Sequence, residues 1–334
     1  MIMKSWLNAL NDLTTPGILV TVAGVDGSGP REPGAKMLIT ATAMSDTIGG
    51  GHLELCAVAL AREMLAMAPE SLAAQRRVQC FSLGPSLGQC CGGVVHLVFE
   101  RVTPGTQYVG ALHSRFNKGQ DSWRLVALDS VAQTSLCSQS DLALMHAQPE
   151  FQERCHIFAD AQGQRWLQDP CLAQRAHLML FGAGHVGAAL VRALAELPCK
   201  VSWVDERDDQ FPADPPANVR LEVTDTPEAL IAAAPAGVSF LVMTHSHALD
   251  QRLAEQILRR ADFAWFGLIG SQTKRTLFER RLIERGISAH QLRAMVCPIG
   301  IPGIVGKSPP VIAIAVAAQL MQVWELQNQG YHAN

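Results

Sequence analysis

The sequence lacks long blocks of charge of either sign. Its 27 basic and 30 acidic residues are interspersed over 334 positions and leave a net charge of −3. That balance argues against a chain that grips nucleic acid electrostatically and points to a small molecule or another protein as partner. Long hydrophobic runs are missing as well. The most apolar stretch, Ser308 to Trp324, opens on Pro309-Pro310 and contains a glutamine. It falls short of the roughly 20 apolar residues that a spanning helix needs, so no membrane segment is expected. The first residues, MIMKSWLNALNDL, are too polar and broken for a secretory leader and read as a short amphipathic helix. Nine cysteines, an odd number at irregular spacing, give no bridge framework. Free thiols in a reducing cytoplasm are the expectation. Internal repeats and low-complexity tracts are absent too.

What is present is ordinary for a globular chain: 48% hydrophobic residues can bury sizeable cores. At this length two domains are expected. GILVTVAG (17–24) reads as a buried strand, and the Gly- and Pro-crowded VDGSGPREPGAKM that follows cannot be regular structure. MLIT resumes as a strand, and DTIGGGHLELCAVALAREML turns from a glycine loop into a helix. RRVQCFSL and VVHLVFERV read as strands on either side of a glycine-cysteine loop. From about Thr103 to Asp169, YVGAL and WRLVALD read as short strands completing a mixed sheet. Gln168-Asp169-Pro170 reads as a linker, dividing residues 1–168 from 169–334.

The second half alternates apolar strands with amphipathic helices, which predicts an α/β doubly wound parallel sheet of the Rossmann type. Gly182-Ala-Gly184-His-Val-Gly187 fits the G-x-G-x-x-G fingerprint, lies between a strand and a helix, and is followed by Asp205 at the end of the next strand. Gly182 would allow the tight turn, Gly184 the approach of a phosphate and Gly187 helix–sheet packing. Asp205 could accept the ribose hydroxyls of a nucleotide such as NAD(P), or cap the next turn. His185 in the turn either faces the ligand or is a solvated loop residue. His245 and His247, two apart on what reads as an extended segment, could pinch a metal or contact an anionic ligand, with Asp250 as a helix cap. Gly270-Ser271 opens a further helix, with Lys274 and Arg275 behind it, a group suited to phosphate. PIGIPGIVGKSP (298–309) is a second glycine-rich loop. Its spacing does not fit a nucleotide P-loop, although Lys307 at a helix entrance can still hold an anion.

In the first half, LGPSLGQCCGGVVHLVFE (83–100) sets Cys90 and Cys91 side by side between Gly88, Gly92 and Gly93. Adjacent cysteines form only a strained disulfide, and on a strand they face opposite ways, so one of the two would point into a site. Buried filler is the other reading of the pair.

GPREPGAKM, IGGGHLE, LGPSLGQCCGG, FGAGHVG, MTHSHALD, GLIGS and PIGIPGIVGKSP occur together and in this order. The constellation resembles the XdhC/CoxI family of xanthine dehydrogenase accessory proteins over most of the chain. The resemblance implies an N-terminal mixed α/β domain joined to a Rossmann-like C-terminal domain. It also implies a maturation factor, not a turnover enzyme. Such a protein binds the molybdenum cofactor (molybdopterin) as cargo and supports its sulfuration with a cysteine desulfurase. It then delivers the cofactor to a xanthine dehydrogenase-type apo-enzyme. Whether the cargo carries an added cytidine nucleotide stays open, and a homodimer is expected. On this reading Cys90 or Cys91 contacts molybdenum or carries a persulfide, with glycine backbone exposed at Gly50, Gly51 and Gly92. His52 stands where some members of the family have cysteine. It acts as a nitrogen ligand or proton carrier, or the role has moved to Cys90 or Cys91. Glu54 pairs with His52 or caps a helix, and Arg31 and Lys36 offer positive contacts to a phosphate. Cys56, Cys80, Cys137, Cys155, Cys171, Cys199 and Cys297 read as incidental thiols. The competing readings are an NAD(P)-dependent oxidoreductase built on GAGHVG and a metal hydrolase built on His245 and His247.

Overall fold

The computed structural model describes residues 6–83, 92–130, 134–138, 141, 154–172, 176–260 and 262–331, with side chains of the closing helix described through residue 327. Gly88, Cys90 and Cys91 lie outside the described residues. The chain divides into two compact units, Met1–Ala173 and Gln174–Asn334.

In the first unit, α1 (Trp6–Asn11) buries Leu7 and Leu10, the amphipathic pair expected of it. Strands β1 (Gly17–Asp26), β2 (Lys36–Ile39), β3 (Met44–Asp46), β4 (Arg76–Ser82) and β5 (Val94–Val102) form an antiparallel sheet in the order β3-β2-β1-β5-β4. Helix α2 (Gly51–Ala66) lays Leu53, Ala57, Ala61 and Met64 on one face of it, against Ile18, Val20, Leu97 and Phe99. The i, i+4 and i+3 spacing of those four residues is what makes that stripe. After α3 (Leu72–Gln75) and α4 (Gln107–Asn117) come β6 (Ser122–Ala127), β7 (Thr134–Cys137), β8 (His156–Ala159) and β9 (Arg165–Cys171), a second antiparallel sheet ordered β7-β6-β9-β8. Its Val126, Leu128 and Leu167 pack with Ala23 and Val98 of the first sheet.

Three expectations change here. The middle region is not part of one mixed sheet but a separate antiparallel sheet. YVGAL is not a strand: it lies in α4, where Val109 and Leu112, one helical turn apart, are the buried pair. Gln168-Asp169-Pro170 is not a linker but the centre of β9, paired with Leu125, Arg124 and Trp123, and the junction falls five residues later. A polar triplet can sit there because its charge is matched. Asp169 accepts from Arg124 Nη1 at 3.0 Å and from Lys36 Nζ at 2.7 Å. Arg124 also binds Glu100, which accepts from the Tyr108 hydroxyl at 2.6 Å and lies 3.8 Å from Arg76. Burial works against charge on Glu100, but Arg124, Arg76 and the Tyr108 and Thr134 hydroxyls outweigh it and hold its pKa below the usual carboxyl range. Such buried charges persist only as a matched set.

In the second unit, β10 (His177–Phe181), β11 (Lys200–Asp205), β12 (Val219–Val223), β13 (Ser239–Val242), β14 (Trp265–Leu268) and β15 (Met295–Val296) form a parallel sheet ordered β12-β11-β10-β13-β14-β15. The order reverses between β10 and β13, as in dinucleotide-binding folds. Helices α5 (His185–Leu194), α6 (Pro227–Ala233), α7 (His247–Arg259), α8 (Gln272–Glu284), α9 (Ala289–Leu292) and α10 (Pro309–Tyr331) complete it. Strand residues Phe240, Val242, Phe266 and Leu268 pack with Leu253, Ile257, Phe278 and Leu282 in one core cluster. Leu180, Val201 and Leu241 join Leu190, Leu194, Val316 and Leu320 in another. The closing helix α10 runs from Pro309 to Tyr331. Over Pro309–Gln327 it is long and apolar enough to cross a membrane by length and composition alone. Its Ala313, Val316, Leu320 and Trp324 belong to the core, and Trp324 Nε1 donates to Ser239 Oγ at 3.1 Å.

Candidate functional site: two glycine-lined corners

The first corner lies where the second unit's strand order reverses. β10 is followed by Gly182, whose φ of +118° and 2.4 Å clearance between a Cβ built there and Met243 O leave room for glycine alone. At Gly187 a Cβ would stand 2.3 Å from Gly182 O, so the helix α5 lies directly on the turn. Gly184, the N-cap of α5, has nothing within 4 Å of a built Cβ. Two of the three glycines are thus fixed by packing, and the third faces open space beside the unpaired amides of a helix start. A cleft of about 390 Å³ opens there, lined by Gly184, His185, Arg207, Gln210, Thr244 and His245 among others. The structure therefore brings Gly184, His185 and His245 together.

Asp205 stands at the same edge but both of its carboxylate oxygens are engaged. Oδ2 accepts from Ala183 N at 2.6 Å, and the Arg207 guanidinium binds Oδ1 through Nε and Oδ2 through Nη2, each at 2.9 Å. Burial acts to raise its pKa, yet Arg207 and the Ala183 and Arg207 amides prevail and hold it below the usual carboxylate range. The carboxylate thus locks the glycine turn and aims Arg207, which lines the cleft. Arg207 is not among the residues expected from the sequence; its place directly after Asp205-Glu206 at a strand end is the signal that could have found it.

Other expected contacts fall elsewhere. His245 and His247 do not share an extended segment: β13 stops at Val242, Ser246 caps α7, and His247 is the first helical residue. His245 Nε2 lies 3.7 Å from Glu206 Oε1. Among the described residues, no group of three or more His, Cys, Asp or Glu side chains is placed to hold a metal ion. Asp250 is not the cap. It is buried, accepts from Thr244 N at 3.0 Å and Thr244 Oγ1 at 2.7 Å, and pairs with Lys274 at 2.7 Å. Ser271 does cap α8, after Gly270, and Arg275 is engaged by Glu279 and the Cys297 carbonyl. Lys307 is exposed in the loop ahead of α10 and does not line the cleft.

The second corner belongs to the first unit. Gly49 and Gly50, ahead of α2, and Gly51, its first residue, all have positive φ, at 120°, 76° and 65°. A Cβ on Gly49 would come within 2.5 Å of Pro30 Cβ, and one on Gly93 within 2.2 Å of Ser28 O. The Gly- and Pro-crowded loop after β1 is thereby pressed against both the triple-glycine turn and the start of β5, the strand that follows the double cysteine. At Gly50 and Gly92 a Cβ would meet nothing within 4 Å, and His52 is exposed on the first turn of α2. Glu54 reaches back to the Thr47 hydroxyl and to Ile48 N at 3.0 Å, closing the turn instead of pairing with His52. Arg31 donates to Thr47 O at 3.3 Å and pairs with Glu32. Lys36 must be removed from the contact set. Its ammonium is buried, held by Asp169 and by Gly34 O at 2.8 Å; burial disfavours its charge, but Asp169 more than compensates and its pKa is raised.

One group was missed in the sequence. Cys80, exposed on β4, places Sγ 3.1 Å from His96 Nδ1 on β5, and His96 Nε2 lies 2.8 Å from Asp26 Oδ2 on β1. These residues are far apart along the chain, and only the strand register, Cys80 opposite His96 opposite Gly24, aligns them.

An antiparallel unit with a glycine-lined corner, followed by a dinucleotide-type unit with a second such corner, defines the class of protein. A family model described as the XdhC Rossmann domain matches residues 178–320, and one described as the XdhC and CoxI family matches residues 12–75. Together they cover more than half of the chain, which belongs to the XdhC and CoxI family. A solved structure from Bacillus halodurans, described as a xanthine dehydrogenase, shares the fold with a TM-score of 0.74 at 20% identity, over 96% of this chain and 94% of that one. The uncharacterized protein YqeB of Escherichia coli K12 is 29% identical over 150 residues, 45% of this chain; the match spans 27% of that relative's length.

Proposed function

We propose that this chain is an accessory protein that holds the molybdenum cofactor in its molybdopterin form as cargo. It supports sulfuration of the cofactor together with a cysteine desulfurase and delivers it to a xanthine dehydrogenase-type apo-enzyme. Family membership supports the accessory role. The observation that carries the reading is the first unit's corner, where the loop containing Arg31, the turn leading to His52 and the strand that follows Cys90 and Cys91 are pressed together through Gly49 and Gly93. Molybdopterin presents a phosphate, a polar pterin and a sulfur-bound metal centre. Open glycine backbone beside an imidazole and nearby thiols in the chain suits such a ligand, because soft sulfur-rich centres favour thiolate and nitrogen donors. The helix start at Gly184 with Arg207 suits a phosphate or nucleotide.

The second reading, an NAD(P)-dependent oxidoreductase, draws on the second unit's cleft alone. The engagement of both Asp205 oxygens weighs against a free ribose acceptor, and it leaves the first unit's corner without a task. The test is maturation. Apo-enzyme of the xanthine dehydrogenase class is incubated with molybdopterin, molybdate, a cysteine desulfurase and this protein, and active sulfurated enzyme is measured. Its yield should rise with the intact protein and fall with Cys90→Ala combined with Cys91→Ala. A yield indifferent to the protein sinks the reading.

A further inference from the structure

We infer that Cys80 is a nucleophilic thiol, with His96 as its base and Asp26 orienting that imidazole, and that it accepts sulfane sulfur from a persulfide donor. The inference rests on the sulfuration role proposed above and names a residue and a sulfur source for it.

The geometry carries it. Cys80, His96 and Asp26 lie on three neighbouring strands in a continuous line, 3.1 Å from sulfur to Nδ1 and 2.8 Å from Nε2 to carboxylate. His96 lies opposite Gly24, at the point where the register of β1 and β5 shifts. His96 Cδ2 would lie 3.8 Å from a Cβ built on Gly24, an ordinary contact distance, so the imidazole lies alongside β1. A carboxylate on Nε2 fixes the tautomer that keeps Nδ1 as a proton acceptor for the thiol. Packing does not require this alignment, since Cys80 is exposed and the Asp26 side chain is 76% accessible. Among the described residues Cys137, Cys155, Cys171, Cys199 and Cys297 are buried. Burial first, and Asp169 second, push the Cys155 and Cys171 thiols up, the latter to about 12, so neither supplies thiolate near neutral pH.

The openness of the site decides the chemistry. Thiol–persulfide exchange needs a thiolate, a proton carrier and access for a protein-borne donor, and it needs no enclosed pocket. His96 takes the Cys80 proton. The thiolate attacks the outer sulfur of the donor persulfide, a sulfur–sulfur bond forms on Cys80 and the donor's own breaks. The departing donor sulfur leaves with the electron pair and receives the proton from His96. One sulfane sulfur moves from thiol to thiol with no net oxidation, so no further oxidant or reductant is needed.

The experiment uses the full chain and cysteine persulfide as the donor, without molybdopterin, followed by alkylation and peptide mass analysis. One added sulfur should appear on Cys80 and be absent in Cys80→Ser. His96→Gln should slow its appearance about tenfold at neutral pH, the ratio expected between an activated and an ordinary thiol. Asp26→Asn should slow it less and Asp26→Glu should restore it, and both exposed substitutions leave the fold intact. Sulfur found only on other thiols, or a rate on Cys80 that His96→Gln and Asp26→Asn leave unchanged, overturns the inference. A chain that sulfurates Cys80 but fails to bind molybdopterin sinks the cargo reading alone. One that binds molybdopterin while Cys80 stays unmodified sinks this inference alone.

Discussion

The two glycine-lined corners, one in each unit, hold their turns by the same device and leave room in different surroundings. In the second unit a Cβ on Gly182 or Gly187 would come within 2.4 and 2.3 Å of backbone carbonyls, and Gly184 is the open position. In the first, a Cβ on Gly49 or Gly93 would come within 2.5 Å of Pro30 and 2.2 Å of Ser28, and Gly50 and Gly92 are open. Each turn is also tied by a carboxylate, Asp205 to Ala183 N in one and Glu54 to Ile48 N in the other. What differs is what the open glycine faces. Gly184 opens on helix amides and the Arg207 side chain, a setting for an anion. Gly50 lies two residues before the exposed His52, in the unit whose sequence also carries the paired cysteines. A glycine's neighbours therefore separate the positions that build a site from those that face a ligand.

That comparison can be broken from underneath. Arg124→Met leaves Glu100 and Asp169 short of their shared cation in the first unit. It should cost about 3–5 kcal/mol in denaturant unfolding, and a loss near zero would mean the charge set is not what supports those strands. The fixed glycines come next. Gly182→Ala and Gly93→Ala should each lower stability by about 2–3 kcal/mol, measured the same way, because strain or a backbone clash must be absorbed. Gly184→Ala sharpens the contrast: stability should change by less than about 0.5 kcal/mol while ligand retention falls. If Gly184→Ala unfolds the protein as readily as Gly182→Ala, open and fixed glycines are not distinct classes.

The smallest effect is acid sensitivity at the second unit's corner. Asp205 titrates below the usual carboxylate range in the folded chain, so the unfolded chain takes up its proton first as pH falls through about 4. The stability it contributes is present above that pH and is lost as pH drops through the depressed folded value. Asp205→Asn should flatten the acid limb of a stability-against-pH curve; an unchanged limb would show that the lock carries no net energy.

The second unit was legible because its signals are local. A strand, a glycine turn and an amphipathic helix recur within short windows, and the strand order follows from that alternation. The first unit was read less well because its decisive contacts span the chain. Asp169 and Lys36 look like a linker acid and a loop base, and nothing near either one announces Arg124. YVGAL carries a pattern that suits strand or helix, and tertiary burial of Val109 and Leu112 chose helix. Cys80, His96 and Asp26 form a line only after three strands are in register. His245 and His247 looked paired because the start of α7 was placed too late.

The proposed function requires that the full chain bind molybdopterin. The direct measurement is to mix the purified protein with molybdopterin, separate it by gel filtration and read the pterin in the protein peak, with NAD(P)H run in parallel. Stoichiometric pterin should appear in that peak and be reduced by Cys90→Ala with Cys91→Ala. Free pterin alongside tightly held NAD(P)H that is oxidised by a substrate would contradict it.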